Sequence, residues 1–270
     1  DGDRPIAKSQ TLSDILQRIP AAQVVRIELL RGAEIAGDPS GQAVIANVVR
    51  TRAAGGGAWS VGYEIAQRHV PAPNGWLSWS GRIGATDYSL GANSYSLLRG
   101  LPGSRDIVGS DGARIGSRAD ISPRTFHEIA INGEAGRTML GGTNRLTGQL
   151  AHSHYHDDSV IRTFSAEGNR TEEESIPFAE SRRTIEAGLD HERLFGGWDL
   201  TLSGLLTRER YRSDVSSTLA GPEGDVRSVF TQDVDRESGE SILRTTLARE
   251  LSARHRIEAA FQGGGDHLGI

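Results

Sequence analysis

From about residue 59 to the C-terminus, apolar and polar residues alternate along the chain with the period of two that a half-buried strand requires. Trp59, Val61, Tyr63 and Ile65 fall on one face of a segment running from Trp59 to Gln67, with Ser60, Gly62, Glu64 and Ala66 on the other. After Pro71-Ala72-Pro73-Asn74-Gly75, which reads as a turn, Leu77, Trp79, Gly81 and Ile83 alternate with Ser78, Ser80 and Arg82, and this strand is expected to run on to about Leu97. The pattern returns through Ile129, Ile131, Gly133 and Ala135, turns at Leu140-Gly141-Gly142-Thr143-Asn144, and resumes with Leu146, Gly148 and Leu150. Ile185, Ala187 and Leu189 mark the next strand and Phe195-Gly196-Gly197 its turn. Two long segments, Trp198 to Val215 and Phe230 to Leu251, and a last one through Ile257, Ala259 and Phe261 complete a set of about eight strands. Tight Gly/Asn/Pro turns alternate with longer polar stretches, Leu98 to Pro123, Glu167 to Pro177 and Thr218 to Ser228, which are expected to be loops.

Residues 1–52 have a different texture. Leu12, Ile15, Leu16 and Ile19 recur at helical spacing behind a Thr11 or Ser13 cap, and Pro20 ends the helix. Val24 to Gly32 reads as a strand with its turn, Gly37-Asp38-Pro39-Ser40-Gly41 as a loop, and Ala43 to Arg50 as a second strand. A short mixed segment at 1–52 is therefore expected to precede an antiparallel all-β region at 53–270.

The order Ile19-Pro20, Arg26-Ile27-Glu28-Leu29-Leu30-Arg31-Gly32, a glycine-containing loop, then Ala43-Val44-Ile45-Ala46-Asn47-Val48-Val49-Arg50 resembles the C-terminal half of the plug domain in TonB-dependent outer-membrane receptors. The resemblance covers about 40 residues in the family's order; Gly41-Gln42 stands where that family usually has a Gly-Gly pair. It implies a fold that is mainly β: a short α/β plug remnant followed by antiparallel strands of a partial transmembrane barrel, forming an open, curved sheet with the plug remnant against its concave face. It also implies a place in the bacterial outer membrane, TonB-dependent uptake of a scarce ligand (siderophore, haem, cobalamin or glycan class), and as partners the membrane lipid, the inner-membrane TonB energy-transducing complex and a small-molecule or metal-chelate ligand. Arg26, Glu28 and Arg31 would support packing of plug on barrel rather than bind ligand. Asp1 is not followed by the basic and apolar regions of a signal peptide, and Gly263 to Ile270 carries no aromatic residue, so both ends are expected to be cut.

Composition narrows the alternatives. A mean hydropathy of −0.40 would fit a soluble protein, yet a barrel that alternates lipid-facing and water-facing residues averages to the same polarity. The net charge of −5 is spread over 30 basic and 35 acidic residues with no basic block, which argues against a nucleic-acid partner. With no cysteine, disulfides, thiol chemistry and Cys-ligated zinc are excluded. Candidate chemistry is confined to His152, His154 and His156, which at strand spacing share one face beside Asp157 and Asp158. Neighbouring imidazoles there stand nearly ~7 Å apart, too far for one ion to take all three without a bulge, so a polar upper strand is favoured over a metal site. Glu172-Glu173-Glu174 is expected to be a solvated loop, and Trp59, Tyr63, Trp76, Trp79, Tyr155 and Trp198 to mark the edges of a membrane band. No catalytic motif occurs in a usable context, no cofactor is called for, and no enzyme activity is expected. A passive porin-like or structural barrel, and a soluble all-β carbohydrate-binding or adhesin module, remain as the other readings of the alternation.

Overall fold

The computed structural model describes Leu16, Ile19, Ala21 and residues 24–31, 44–50, 55–65, 71–100, 102–252 and 255–269. Near the N-terminus, β1 (Val24–Arg31) and β2 (Val44–Arg50) pair antiparallel as a sheet of their own. The helix expected over Thr11 to Pro20 lies outside the described residues apart from Leu16, which is helical, and Ile19, whose N–H donates to the Leu16 carbonyl at 3.0 Å. The 37–41 loop and the 52/53 boundary also lie outside them.

The rest is one antiparallel sheet of eleven strands: β3 (Gly56–Ile65), β4 (Pro71–Ile83), β5 (Thr86–Arg99), β6 (Gly103–Val108), β7 (Arg114–Ile121), β8 (Arg124–Met139), β9 (Gly142–Ser165), β10 (Arg170–Phe195), β11 (Trp198–Ala220), β12 (Val226–Ser252) and β13 (His255–Gly269). β9 pairs with β8 along its first part and with β7 along its last, while β6 pairs with β7. β5 with β6, and β7 with β8, therefore act as two long strands interrupted at residues 100–102 and at Ser122-Pro123. Proline at the second break has no N–H to give to a ladder, and the Pro123 carbonyl instead accepts from the Asp158 N–H at 3.2 Å. The sheet is thus an up-and-down meander of nine passes rather than eight, open at β3 and β13.

Several sequence expectations need correction. Pro71 to Gly75 is strand, paired with Ile65 to Val61. The long strand expected from Leu77 to Leu97 is broken by a two-residue turn at Gly84-Ala85, where Gly84 supplies a φ of 60°. The stretches 98–123, 167–177 and 218–228, expected as loops, are mostly strand: β6 and β7 form a hairpin, β10 begins at Arg170, and β11 runs to Ala220. Polar composition misleads there because a strand with water on both faces has no apolar alternation to betray it.

The turns differ between the two ends of the sheet. Two-residue turns at Gly84-Ala85, Leu140-Gly141 and Gly196-Gly197 close one end, hereafter the lower. At the upper end, Gly109 to Ala113, Ser165 to Asn169 and Gly221 to Asp225 share one design: the first residue's N–H donates to the fifth's carbonyl, and a glycine at the fourth position, preceded by Asp111, Glu167 or Glu223, has positive φ.

Candidate functional site

Residues directly opposite one another in an antiparallel pair point to the same side, so the registers sort every side chain onto one of two faces. One face collects Trp59, Val61, Tyr63 and Ile65 of β3, Leu77, Trp79 and Ile83 of β4, Leu90 of β5, and Ile129 and Ile131 of β8. It continues through Leu146 and Leu150 of β9, Ile185 and Leu189 of β10, Leu200, Leu202 and Leu206 of β11, Leu243 and Leu247 of β12, and Ile257 and Phe261 of β13. These residues form a continuous apolar band, and nearly all are exposed: Trp59 is 72%, Val61 78%, Leu146 57% and Phe261 67% accessible. The second face is mostly polar, with scattered apolar residues such as Phe126, Ile161, Phe178, Leu205 and Ile242, and is the better covered. Ala72, Ser78, Ser80, Ala130, Asn132, Glu186, Ser213 and Ala248 are buried on it, Ser78 to 2% and Glu186 to 5%. Among the buried side chains described, Ser96 is the exception on the apolar side; its Oγ meets His127 Nδ1 at 2.7 Å. A soluble protein buries its apolar face; here the exposures are reversed.

The band crosses the strands obliquely. Passing from partner to partner, Phe261 at its upper limit on β13 leads through Thr245, Leu202, His191 and Asn144 to Arg137 on β8. The upper limit on β8 is Ile129, eight residues further up that strand (137 to 129). At ~3.3 Å per residue and ~4.8 Å between strands, that rise over five pairings puts the strands at about 45–50° to the normal of the band. Arginines bound it: on β10, Arg183 stands above Ile185 and Arg193 below Leu189, ten residues apart (183 to 193).

On the polar face the charges pair. Arg145 lies 3.3 Å from Glu134. The Tyr211 ring is sandwiched between the guanidiniums of Arg182 at 5.6 Å and Arg236 at 5.0 Å, and Arg236 reaches Glu209 at 3.3 Å. Asp157 accepts from Arg124 Nε at 3.0 Å and from Ser159 Oγ at 2.7 Å. Burial pushes the Tyr155 hydroxyl above its ordinary pKa, with the neighbouring Asp157 charge acting in the same direction. Trp76 and Tyr155, expected at the edges of an apolar band, are on this polar face instead; Tyr155 packs on Phe178 with ring centroids 5.7 Å apart. Trp59, Tyr63, Trp79 and Trp198 do stand on the apolar face, with Trp79 Nε1 donating to the Tyr88 hydroxyl at 3.1 Å.

The histidines share a face as their spacing predicts, opposite Ile129, His127 and Thr125 on one side and Arg183, Ser181 and Ala179 on the other. His156 Nε2 lies 3.0 Å from Asp158. Among the described residues, no three His, Cys, Asp or Glu side chains are grouped so as to hold a metal ion. Glu172, Glu173 and Glu174, expected in a loop, are instead in β10 and paired: Glu173 with Arg162 and Arg170, Glu172 with Arg227, and Glu174 with Arg118 and Ser217. Arg162 donates to Glu173 at 2.7 Å and holds that carboxyl below its ordinary value of 4.5. In β1, Arg26 Nε donates to Glu28 at 2.7 Å, an exposed pair within one strand.

No family model, curated protein or solved structure matches this chain.

Proposed function

We propose that this chain supplies the end of the plug and the first part of the barrel wall of a TonB-dependent outer-membrane receptor. The observation that carries this reading is the exposed apolar band. Ten residue steps between the bounding arginines, at ~3.3 Å each and inclined at about 45–50°, give a height of ~21–23 Å, against the ~25 Å apolar band of outer-membrane barrels. The inclination agrees with the ~45° of membrane-spanning strands. Tight turns below and strands running far above the band fit the periplasmic and extracellular ends of such a wall. The greater exposure of the apolar face is what a sheet curved toward its polar face gives, since side chains splay on a convex surface and converge on a concave one. A soluble sandwich would bury that face against a second sheet.

The polar face then lines the lumen, where the Arg182–Tyr211–Arg236 stack and its glutamates offer a hydrated, charge-paired surface. Uptake of a scarce ligand, energised from the inner membrane through the plug, rests on the resemblance of Arg26 to Arg50 to the family's plug. The siderophore, haem, cobalamin and glycan classes all remain substrates to screen. The test is uptake by cells carrying the protein, with each ligand class offered in turn. Uptake that stops when the proton motive force is collapsed supports the receptor; uptake that persists supports a passive barrel instead. A protein recovered entirely from the soluble fraction overturns both.

A further inference from the structure

The margin just above the apolar band is basic on four successive strands. The first residue above it on the apolar face is His127 on β8, His152 on β9, Arg183 on β10 and Arg208 on β11, and His154 and Arg210 follow one position higher. Arg183 stands directly opposite Arg210, and Arg208 directly opposite Ile185. Like charges placed opposite one another across a pair of strands are destabilising unless an anion joins them. Arg210 has its anion, with Nη2 donating to Asp235 at 2.8 Å. Arg183 and Arg208 are exposed, and among the described residues no carboxylate pairs with either. The acids of this face, Asp106, Asp158, Glu173, Asp214, Asp233, Asp235 and Glu237, lie higher on β6, β9, β10 and β11 or across on β12. The lower margin is different. There Arg193 and Arg249 lie over the rings of Phe195 and Trp198, each 5.6 Å from the centroid.

Resting on the membrane reading above, we infer that Arg183 and Arg208, flanked by His152 and Arg210, form a docking site for the phosphate-bearing headgroup of a membrane lipid whose acyl chains lie on the band below. Two guanidiniums present the forked donors that bind phosphate bidentately. The surface directly beneath them, Leu150, Ile185 and Leu206, is apolar and exposed. That juxtaposition selects an amphiphile over free phosphate, because a free ion would leave the apolar surface uncovered. Arginines at this depth can also bury their stems on the band while their heads reach the headgroup layer.

The test uses the full protein in detergent micelles, with diphosphoryl lipid A, a neutral glycolipid and inorganic phosphate as probes, and bound lipid counted by native mass spectrometry. The wild type is expected to retain diphosphoryl lipid A at least tenfold more tightly than the Arg183→Gln/Arg208→Gln double variant, and to retain neither of the other probes. Arg244→Gln makes the same kind of charge change on the polar face and should retain the lipid like the wild type; it keeps the comparison valid if the double variant folds poorly. Equal retention by the wild type and a folded double variant, loss in Arg244→Gln, or equal occupancy by inorganic phosphate overturns the site. A protein that never enters micelles or membranes overturns the membrane reading itself, a failure visible before any lipid is added.

Discussion

At the scale of single residues, Leu140 is the position most at odds with its surroundings. It sits in a two-residue turn with φ of 57°, a conformation that costs an L-residue other than glycine, asparagine or aspartate roughly 1–2 kcal/mol. Leu140→Asn should therefore raise stability by about 1 kcal/mol, read as a shift of the denaturation midpoint at unchanged slope. Glu173 belongs to the same scale. Its carboxyl titrates below 4.5 because Arg162 donates to it, so the stabilisation is present above that value and is lost as pH falls through the depressed pKa. With the intrinsic pH dependence of exchange divided out, amide protection in the upper part of the β9–β10 hairpin should be high at neutral pH and fall below about pH 4.5, whereas Glu173→Gln should be less protected even at neutral pH and lose most of that dependence.

At the scale of elements, the two faces of one strand make opposite predictions. Leu146→Arg puts a charge near the middle of the exposed apolar band on β9. In a bilayer this should cost ~2–4 kcal/mol near the midplane and less toward the edge of the band, while in water an exposed leucine is replaced at almost no cost. Thr147→Arg on the polar face should cost little in either setting. Urea titrations of the protein folded into vesicles separate the cases: equal midpoints for the two variants would sink the lipid-facing assignment. The parts of the strands that carry the apolar band were legible from the alternation of Leu146, Gly148 and Leu150 and of Trp198 to Leu206. The upper parts expected as loops were not, because Ser104-Arg105-Asp106 or Glu172-Glu173-Glu174 places polar groups at successive positions and removes the signal. The Gly84-Ala85 turn was missed although the apolar positions change there from odd (Leu77, Trp79, Ile83) to even (Tyr88, Leu90), a phase shift that marks the turn. Arg183 and Arg208 could have been found only by knowing the registers, which bring residues 25 apart in sequence (183 and 208) to neighbouring positions on one face.

At the scale of the whole molecule, β3 and β13 each leave one edge of backbone groups without a strand partner among the described residues. An unpaired edge of this length invites association with any available strand, so the membrane-embedded protein should cover both. Amides of β13 that point away from β12 are expected to exchange as slowly as those of β11 once the protein is in lipid; rapid exchange there would mean that the sheet remains open. The meander has a further consequence, for the order of assembly. Every long pass lies beside the pass made just before it and the one made just after, so no strand waits for a partner synthesised much later. Contacts this local shorten the loops that must close during folding. The wall can therefore grow one hairpin at a time from β3 toward β13, with a single advancing edge at every stage.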